Sequence, residues 1–319
     1  MFAELISQEQ TSDHIVHINI VGIGGGGTNC VERMLDANIP MVKYITINTD
    51  DGSYFGSSAE TKIQIGRKET NGRGSGGDPK KGRLSAEENE AEIEHVLSDC
   101  EMVFITAGMG GGTGTGAAPV VAKIAQRLGI LTIAVVTKPF SFEGSRRMKQ
   151  AEEGIQNLEK YTDALIVIPN VNLKLVSNSR ITLSNAFAIA DDVLVQTVKN
   201  LVELIQNTAF INCDFADITT ILRKSGYIHT ATGRGIGKDK TQKIIEQLKR
   251  SELLNTSIDG AIGALLYVTI AGNVALADVD EISSAISEVA DTNVNLIFGL
   301  NFDECLDDEI KVLLVATHK

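Results

Sequence analysis

Positive charge is scarce in this chain. Of 319 residues, 29 are Lys or Arg and 41 are Asp or Glu, a formal net charge of -12. Holding nucleic-acid phosphates needs a large basic face, so this balance excludes nucleic acid as the main partner. Cysteine is scarce too: Cys30, Cys100, Cys213 and Cys305 lie far apart and form no C-x-x-C. That spacing argues against a disulfide framework or a zinc site and for a reducing cytoplasm. No apolar run approaches the roughly 18 residues of a membrane helix. The opening "MFAELISQEQTSDH" shows neither a basic nor an apolar leader region. These absences predict a cytoplasmic protein without direct membrane contact, any tether being supplied by a partner.

The composition that remains is globular. The chain is 43% hydrophobic and 22% charged, and its length suits two domains. Residues 1–14 read as a flexible N-terminus. Short apolar, β-branched runs follow at 15–24, 44–50, 102–108, 131–137 and 164–170, with helical spacing at 28–37, 80–97, 116–128 and 145–160. Runs apolar throughout and separated by helices predict an α/β fold with a parallel sheet covered on both faces. Ligands of such sheets bind at the carboxyl ends of the strands. A long helical pattern covers 183–206, with apolar positions at Leu183, Phe187, Leu194, Leu201, Leu204 and Ile205. Beyond it, a helix at 239–250, a strand at 261–270, a helix at 278–290 and strands at 293–300 and 310–317 predict a smaller α+β unit. The boundaries expected are therefore 15–182, 183–216 for the long helix and its following loop, and 217–319.

Glycine is concentrated in loops at strand ends. "GIGGGGTN" (22–29) matches G-x-G-x-x-G, and Asp50 lies near the end of the second strand, the arrangement of a dinucleotide-binding unit. "GMGGGTGTG" (108–116) also follows a strand and opens a helix. A helix N-terminus carries unpaired N–H groups and partial positive charge, and glycines let phosphate oxygens approach them. Two such loops on one sheet predict a phosphate chain held from both sides. A third stretch, "NGRGSGGDPKKGR" (71–83), sets Arg73, Lys80, Lys81 and Arg83 around Gly-Ser-Gly-Gly. Alone it reads as a solvated loop; beside the other two it reads as a lid over a terminal phosphate. No G-x-x-x-x-G-K-[ST] occurs, which excludes a P-loop NTPase.

"GGGTGTG" (110–116) resembles the signature of the tubulin/FtsZ superfamily. The likeness to its FtsZ branch, the bacterial cell-division GTPases, spans about 15–317 and includes "NTD" (48–50), "VVTKPFSFEG" (135–144), "LIVIPN" (165–170) and "NCDFADI" (212–218). The resemblance implies a Rossmann-like GTPase domain, a long core helix and a C-terminal activation domain with a four-stranded sheet. It implies GTP as substrate, GDP as product, and Mg²⁺ held mainly by the phosphates, with no protein metal site. Gly25, Gly26, Gly27, Thr28 and Asn29 would cradle phosphates from the first loop, and Gly111, Gly112, Thr113, Gly114 and Thr115 from the signature loop. Ser75, Gly76 and Gly77 would reach the γ-phosphate through backbone N–H groups. Glu143 and Arg147 would hold the ribose and a nearby phosphate, while Asn170 and Asp191 read guanine and Phe187 stacks on it. Phe187 and Asp191 stand one helical turn apart and can share a ligand, although locally they also read as a core residue and a solvated charge.

Asn212, Asp214 and Asp217 cluster just after the long helix. Locally, such acids bind a metal, cap a helix or orient a water. The resemblance implies the last: the loop enters the nucleotide site of the next subunit, so that hydrolysis requires a head-to-tail homopolymer at the division site, with other division proteins as further partners. Three places depart from the family. Gly52 stands where Gln is usual, Asp78 where Asn is usual, and "RKSGYIHTATGRG" (223–235) replaces a Met- and Gly-rich stretch. The flexible linker and docking peptide with which the family usually ends do not occur in these residues, as expected of either a trimmed chain or a tail-less member. The first two departures keep open a filament protein that binds GTP but hydrolyses it poorly. A nicotinamide-dependent dehydrogenase has only "GIGGGG" and Asp50 in its favour.

Overall fold

The computed structural model describes residues 16–176, 181–206, 209–211, 213–251, 253–254, 256–272 and 274–318. The expected flexible segment 1–14 and the candidate Asn212 lie outside the described residues.

Twelve strands occur among them: β1 (Ile18–Ile23), β2 (Val42–Asn48), β3 (Thr61–Gln64), β4 (Met102–Gly108), β5 (Leu131–Lys138), β6 (Ala164–Pro169), β7 (Gly226–Gly235), β8 (Arg250–Ser251), β9 (Thr256–Ser257), β10 (Gly263–Ile270), β11 (Asn295–Phe302) and β12 (Ile310–Thr317). Ten of these form one sheet, in the order β11-β10-β12-β7-β6-β5-β4-β1-β2-β3, while β8 and β9 pair as a short ribbon. From β3 to β7 every pairing is parallel. The stretch β3-β2-β1-β4-β5-β6 has the strand order of a dinucleotide-binding fold, whose direction reverses between β1 and β4. β12 then runs antiparallel to β7 and β10, and β11 joins β10 in parallel.

Strand side chains alternate between faces, and the two faces fill different cores. Ile18 and Ile20 of β1, Phe104 of β4 and Ile133 of β5 pack with Leu194, Val198 and Val202 of the helix Ala186–Gln206. On the other face Val21, Ile23, Ile45, Ile105 and Val136 meet Ala117, Val121 and Ile155 of the helices Thr113–Arg127 and Ser145–Glu159. Leu266, Val268, Leu314, Ile244 and Ile282 centre a third core around β10 and β12. No helix among the described residues is long and apolar enough to cross a membrane.

Local chemistry changes three sequence expectations. The helix expected at 80–97 is two, Pro79–Glu88 and Glu90–Leu97, because Asn89 leaves helical geometry (φ -107°, ψ 23°) and accepts the Gly66 N–H at 2.9 Å. The long helix begins at Ala186, not 183. Asn185 accepts the Thr182 N–H at 2.7 Å, and Leu183 is left outside the helix, 71% exposed. The departing stretch 223–235 contains β7, a strand hidden from sequence reading by its Gly, Thr and His positions.

β7 also carries a buried titratable group. Nε2 of His229 lies 2.9 Å from the Leu248 carbonyl and Nδ1 lies 2.9 Å from the Thr256 hydroxyl. A carbonyl only accepts, so Nε2 donates; in the neutral ring that burial favours, Nδ1 then accepts from Thr256. Burial pushes its pKa down from 6.5, assisted by His318, against the Leu248 hydrogen bond and Asp259. The unfolded chain therefore binds the proton first as pH falls, and stability is lost below about pH 6.5. The thermal midpoint is expected to drop by a few degrees between pH 7 and pH 5.5, and by less in His229→Asn; equal drops in both proteins would refute the assignment.

Candidate nucleotide site

Strand β1 passes directly into the helix Gly24–Asp36. That turn tolerates nothing larger than glycine: Gly24 has φ +70°, and a Cβ there would meet the Gly114 amide nitrogen at 2.8 Å. Gly25, by contrast, has open space where a side chain would stand. From β4 the chain runs through Met109–Gly112 into the helix Thr113–Arg127. The Gly110 N–H donates to the buried Thr115 hydroxyl at 2.8 Å, which ties the loop to the helix it opens. Two helix N-termini thus converge at the sheet's reversal point, presenting N–H groups where anions bind.

A cleft of about 240 Å³ lies between them, lined by Gly24–Gly26, Ser75, Gly108, Met109, Gly111–Gly114, Thr137, Glu143, Arg147, Asn170, Phe187 and Asp191. Over Gly110–Gly112 it adjoins a second depression bounded by Gly76, Gly77, Arg146 and Gln150. All three glycine loops therefore reach one site.

Arg147 holds Glu143 at 2.9 Å, and the same carboxylate accepts the Phe140 N–H at 2.8 Å. Phe187, 48% exposed, packs edge-on against Phe140 at 5.4 Å and offers its other side to the cleft. Asn170 is buried, and its Oδ1 has no hydrogen-bond partner among the described residues. An acceptor left unpaired in a cleft wall costs stability until a donor arrives. Asp191 lies 3.7 Å from the Arg33 guanidinium, and Arg33 also pairs with Asp192. Burial raises the Asp191 carboxyl to about 6 against the pull of Arg33, with Asp192 adding to the rise.

Several expected residues do not line the cleft. Gly27 packs under the Thr106 carbonyl, which a Cβ would meet at 2.5 Å. Thr28 is buried and accepts from Asn48 at 3.3 Å, so it supports β2. Asn29 is exposed outside the cleft. Asp50 accepts the Ser53 N–H at 2.8 Å as the N-cap of the helix Asp51–Gly56, which leaves it no ribose role of the dehydrogenase kind. Asp78 likewise caps Pro79–Glu88, accepting the Lys80 N–H at 2.9 Å, so its charge is turned onto a helix end rather than toward phosphate.

Sequence reasoning missed Arg33 and Thr49. Arg33 meets its acid 159 positions away, a pairing that no linear spacing signals. Thr49 stands inside the quoted "NTD", but its role depends on the third loop folding back to it.

Asp214 and Asp217 are exposed at the start of the helix Phe215–Leu222, and Asp214, at the N-cap, makes no side-chain cap bond. Fifteen residues of the helix Ala186–Gln206 follow Asp191 before the chain leads on to them. At 1.5 Å per residue that is about 22 Å. These acids cannot touch a nucleotide held in their own chain.

Residues 17–178 match the model of the tubulin/FtsZ family GTPase domain, and 226–318 that of the FtsZ family C-terminal domain. The solved structure of an empty FtsZ dimer from M. jannaschii is 41% identical over 99% of this chain and 90% of its own, with a TM-score of 0.85. The chain belongs to the FtsZ family. The GTPγS-bound CetZ2 protofilament from Haloferax volcanii, 18% identical over 94% of this chain and 92% of that one, shares the fold at a TM-score of 0.78. The Rossmann-like α/β unit, the core helix and the C-terminal sheet of this chain are accordingly those of an FtsZ-family GTPase fold.

Proposed function

We propose that this FtsZ-family chain hydrolyses GTP only when assembled head-to-tail, each cleft being completed by Asp214 and Asp217 of the next copy. Residues 15–182 would form the GTP-binding domain, 183–216 the core helix and the catalytic loop, and 217–319 the C-terminal activation domain. The observation that carries this reading is the separation of the two acids from the cleft by the length of the core helix.

The phosphate chain would lie between Gly24–Gly26 and Gly111–Gly114, bound by backbone N–H groups at two helix ends. Among the described residues no lysine lines this cleft and Arg147 is its one cation, so helix-end dipoles would supply much of the protein's contribution to the phosphates. Asn170 Oδ1, unpaired in the cleft wall, fits a guanine N–H, and the Asp191 carboxylate fits two at once. Mg²⁺ held mainly by the nucleotide would supply the charge compensation that phosphoryl transfer needs. The remaining step is attack by water, positioned and relieved of its proton by the incoming Asp214 and Asp217. The contact joins two different faces, and where its rotation does not close a ring it generates a filament. A cytoplasmic role in the division ring, with other division proteins binding the polymer, is the biological setting we infer.

Phosphate release from GTP, measured against protein concentration, tests this. The rate is expected to stay near zero below a threshold and to rise steeply above it, because every active site needs two chains. A rate strictly proportional to concentration would overturn it. Gly52, which supplies no side chain where the family usually has Gln, favours one second reading: a filament that binds GTP and turns it over only in traces. The same measurement separates the two by the height of the plateau per subunit.

A further inference from the structure

Resting on that reading of the cleft, we infer that three hydroxyls in its wall form an adjustable donor that distinguishes a nucleoside triphosphate from a diphosphate, with Ser75 as the specificity-determining residue. Thr49 follows β2, Ser75 belongs to the third glycine loop, and Thr113 opens the helix after β4. Thr49 Oγ1 lies 2.7 Å from Thr113 Oγ1, and Ser75 Oγ lies 3.0 Å from the same atom. Ser75 and Thr113 line the cleft, while Thr49 is fully buried behind them.

Each hydroxyl has one proton and two lone pairs. Among the described residues the Thr49 hydroxyl has no second partner. A buried donor left unmade is costly, so Thr49 donates to Thr113. Two arrangements remain. In the first, Ser75 also donates to Thr113, whose own proton then points into the cleft. In the second, Thr113 donates to Ser75, and the Ser75 proton points into the cleft. Either way the buried end is closed and one O–H is left over, with the cleft as its outlet.

Which arrangement wins depends on where an acceptor sits. Thr113 stands at the loop assigned to the α- and β-phosphates, so a diphosphate draws out the Thr113 proton. Ser75 stands on the loop assigned to the γ-phosphate, so a triphosphate draws out the Ser75 proton instead. The change rotates two hydroxyls and moves no backbone. Ser75 is held for this: Gly74 and Gly76 on either side have φ +77° and +62°, and a Cβ on Gly112 would stand 2.2 Å from Ser75 Oγ. The serine hydroxyl occupies the room that Gly112 leaves.

Binding of GDP and of the slowly hydrolysed GTPγS to full-length Ser75→Ala tests the proposal, at protein concentrations below assembly. Thr113 can still serve a diphosphate, so the GDP dissociation constant is expected to stay within about twofold of the parent. That for GTPγS is expected to rise about tenfold, the worth of one hydrogen bond to a charged oxygen. Ser75→Cys keeps the shape with a weaker donor, is expected to fall between, and carries the same test if the alanine variant does not fold. An unchanged ratio of the two constants in the folded variant overturns the hydroxyl switch while leaving the GTP site standing. A parent protein that binds neither nucleotide overturns both.

Discussion

Asp214→Ala and Asp217→Ala are each expected to lower GTP turnover by about a hundredfold or more while leaving GTP binding by the isolated chain unchanged. The magnitude is that of removing a positioned acid–base group. The selectivity follows from geometry, since both acids lie beyond the far end of the core helix, about 22 Å along it from Asp191. Neither variant has a structural reason to unfold: both side chains are exposed, and Asp214 makes no side-chain cap bond. Asp217 lies in the first helical turn, where a carboxylate contributes about 0.3–1 kcal/mol through the helix dipole, too little to disrupt the fold. A mixture gives the sharper result. Combined with a chain that has an intact loop but a damaged cleft, such as Asp191→Ala, the Asp214→Ala chain is expected to regain turnover that neither has alone. Its good cleft can then meet a good loop. Parental turnover in either single variant, or no recovery on mixing, would rule out the shared site.

Much of this was legible in the sequence because the deciding features are local. Two glycine loops at strand ends, and a third after the short helix Arg67–Thr70, mark where an anion can approach, and the i, i+4 spacing of Phe187 and Asp191 puts both on one helix face. Apolar runs without alternation specified a parallel sheet buried on both sides. What escaped was non-local or masked by composition. β7 pairs in register with β12 from Ile228↔Thr317 to Gly235↔Ile310, but its Gly, Thr and His residues weaken every strand signal. Asp50 read as the acid of a dinucleotide-binding unit and Asp78 as a departure in the third glycine loop, and both cap helices. An N-cap and a ligand contact use the same residue types, and only the direction of the carboxylate separates them. Arg33 shows the same limit from the other side. It sits on the helix opened by the first glycine loop, yet its partners are on the core helix, so it ties two walls of the cleft together.

That junction sets the second large effect. Asp191→Asn is expected to weaken GTP binding about a hundredfold, because two charge-assisted hydrogen bonds from guanine lose their carboxylate, each worth about 1.5–3 kcal/mol. An amide presents one acceptor and one donor, so the same variant is expected to gain affinity for xanthosine triphosphate, whose base carries a carbonyl where guanine carries an amine. The pH profile adds a sign that a merely structural acid would not produce. Desolvation raises the Asp191 carboxyl to about 6, Arg33 opposing. Guanine needs the ionised form, so parental affinity for GTP is expected to fall as pH drops from 7 to 5, and Asp191→Asn is expected to show no such fall. Stability moves the other way. A folded pKa above the unfolded value means that the folded chain takes up the proton first, so this group stabilises the fold as pH drops through 6. Acid therefore tightens the empty chain at Asp191 while it loosens GTP, whereas at His229 acid only destabilises. Flat GTP affinity across this range in the parent, or parental affinity in Asp191→Asn, would remove Asp191 from guanine recognition and leave Asn170 to carry it.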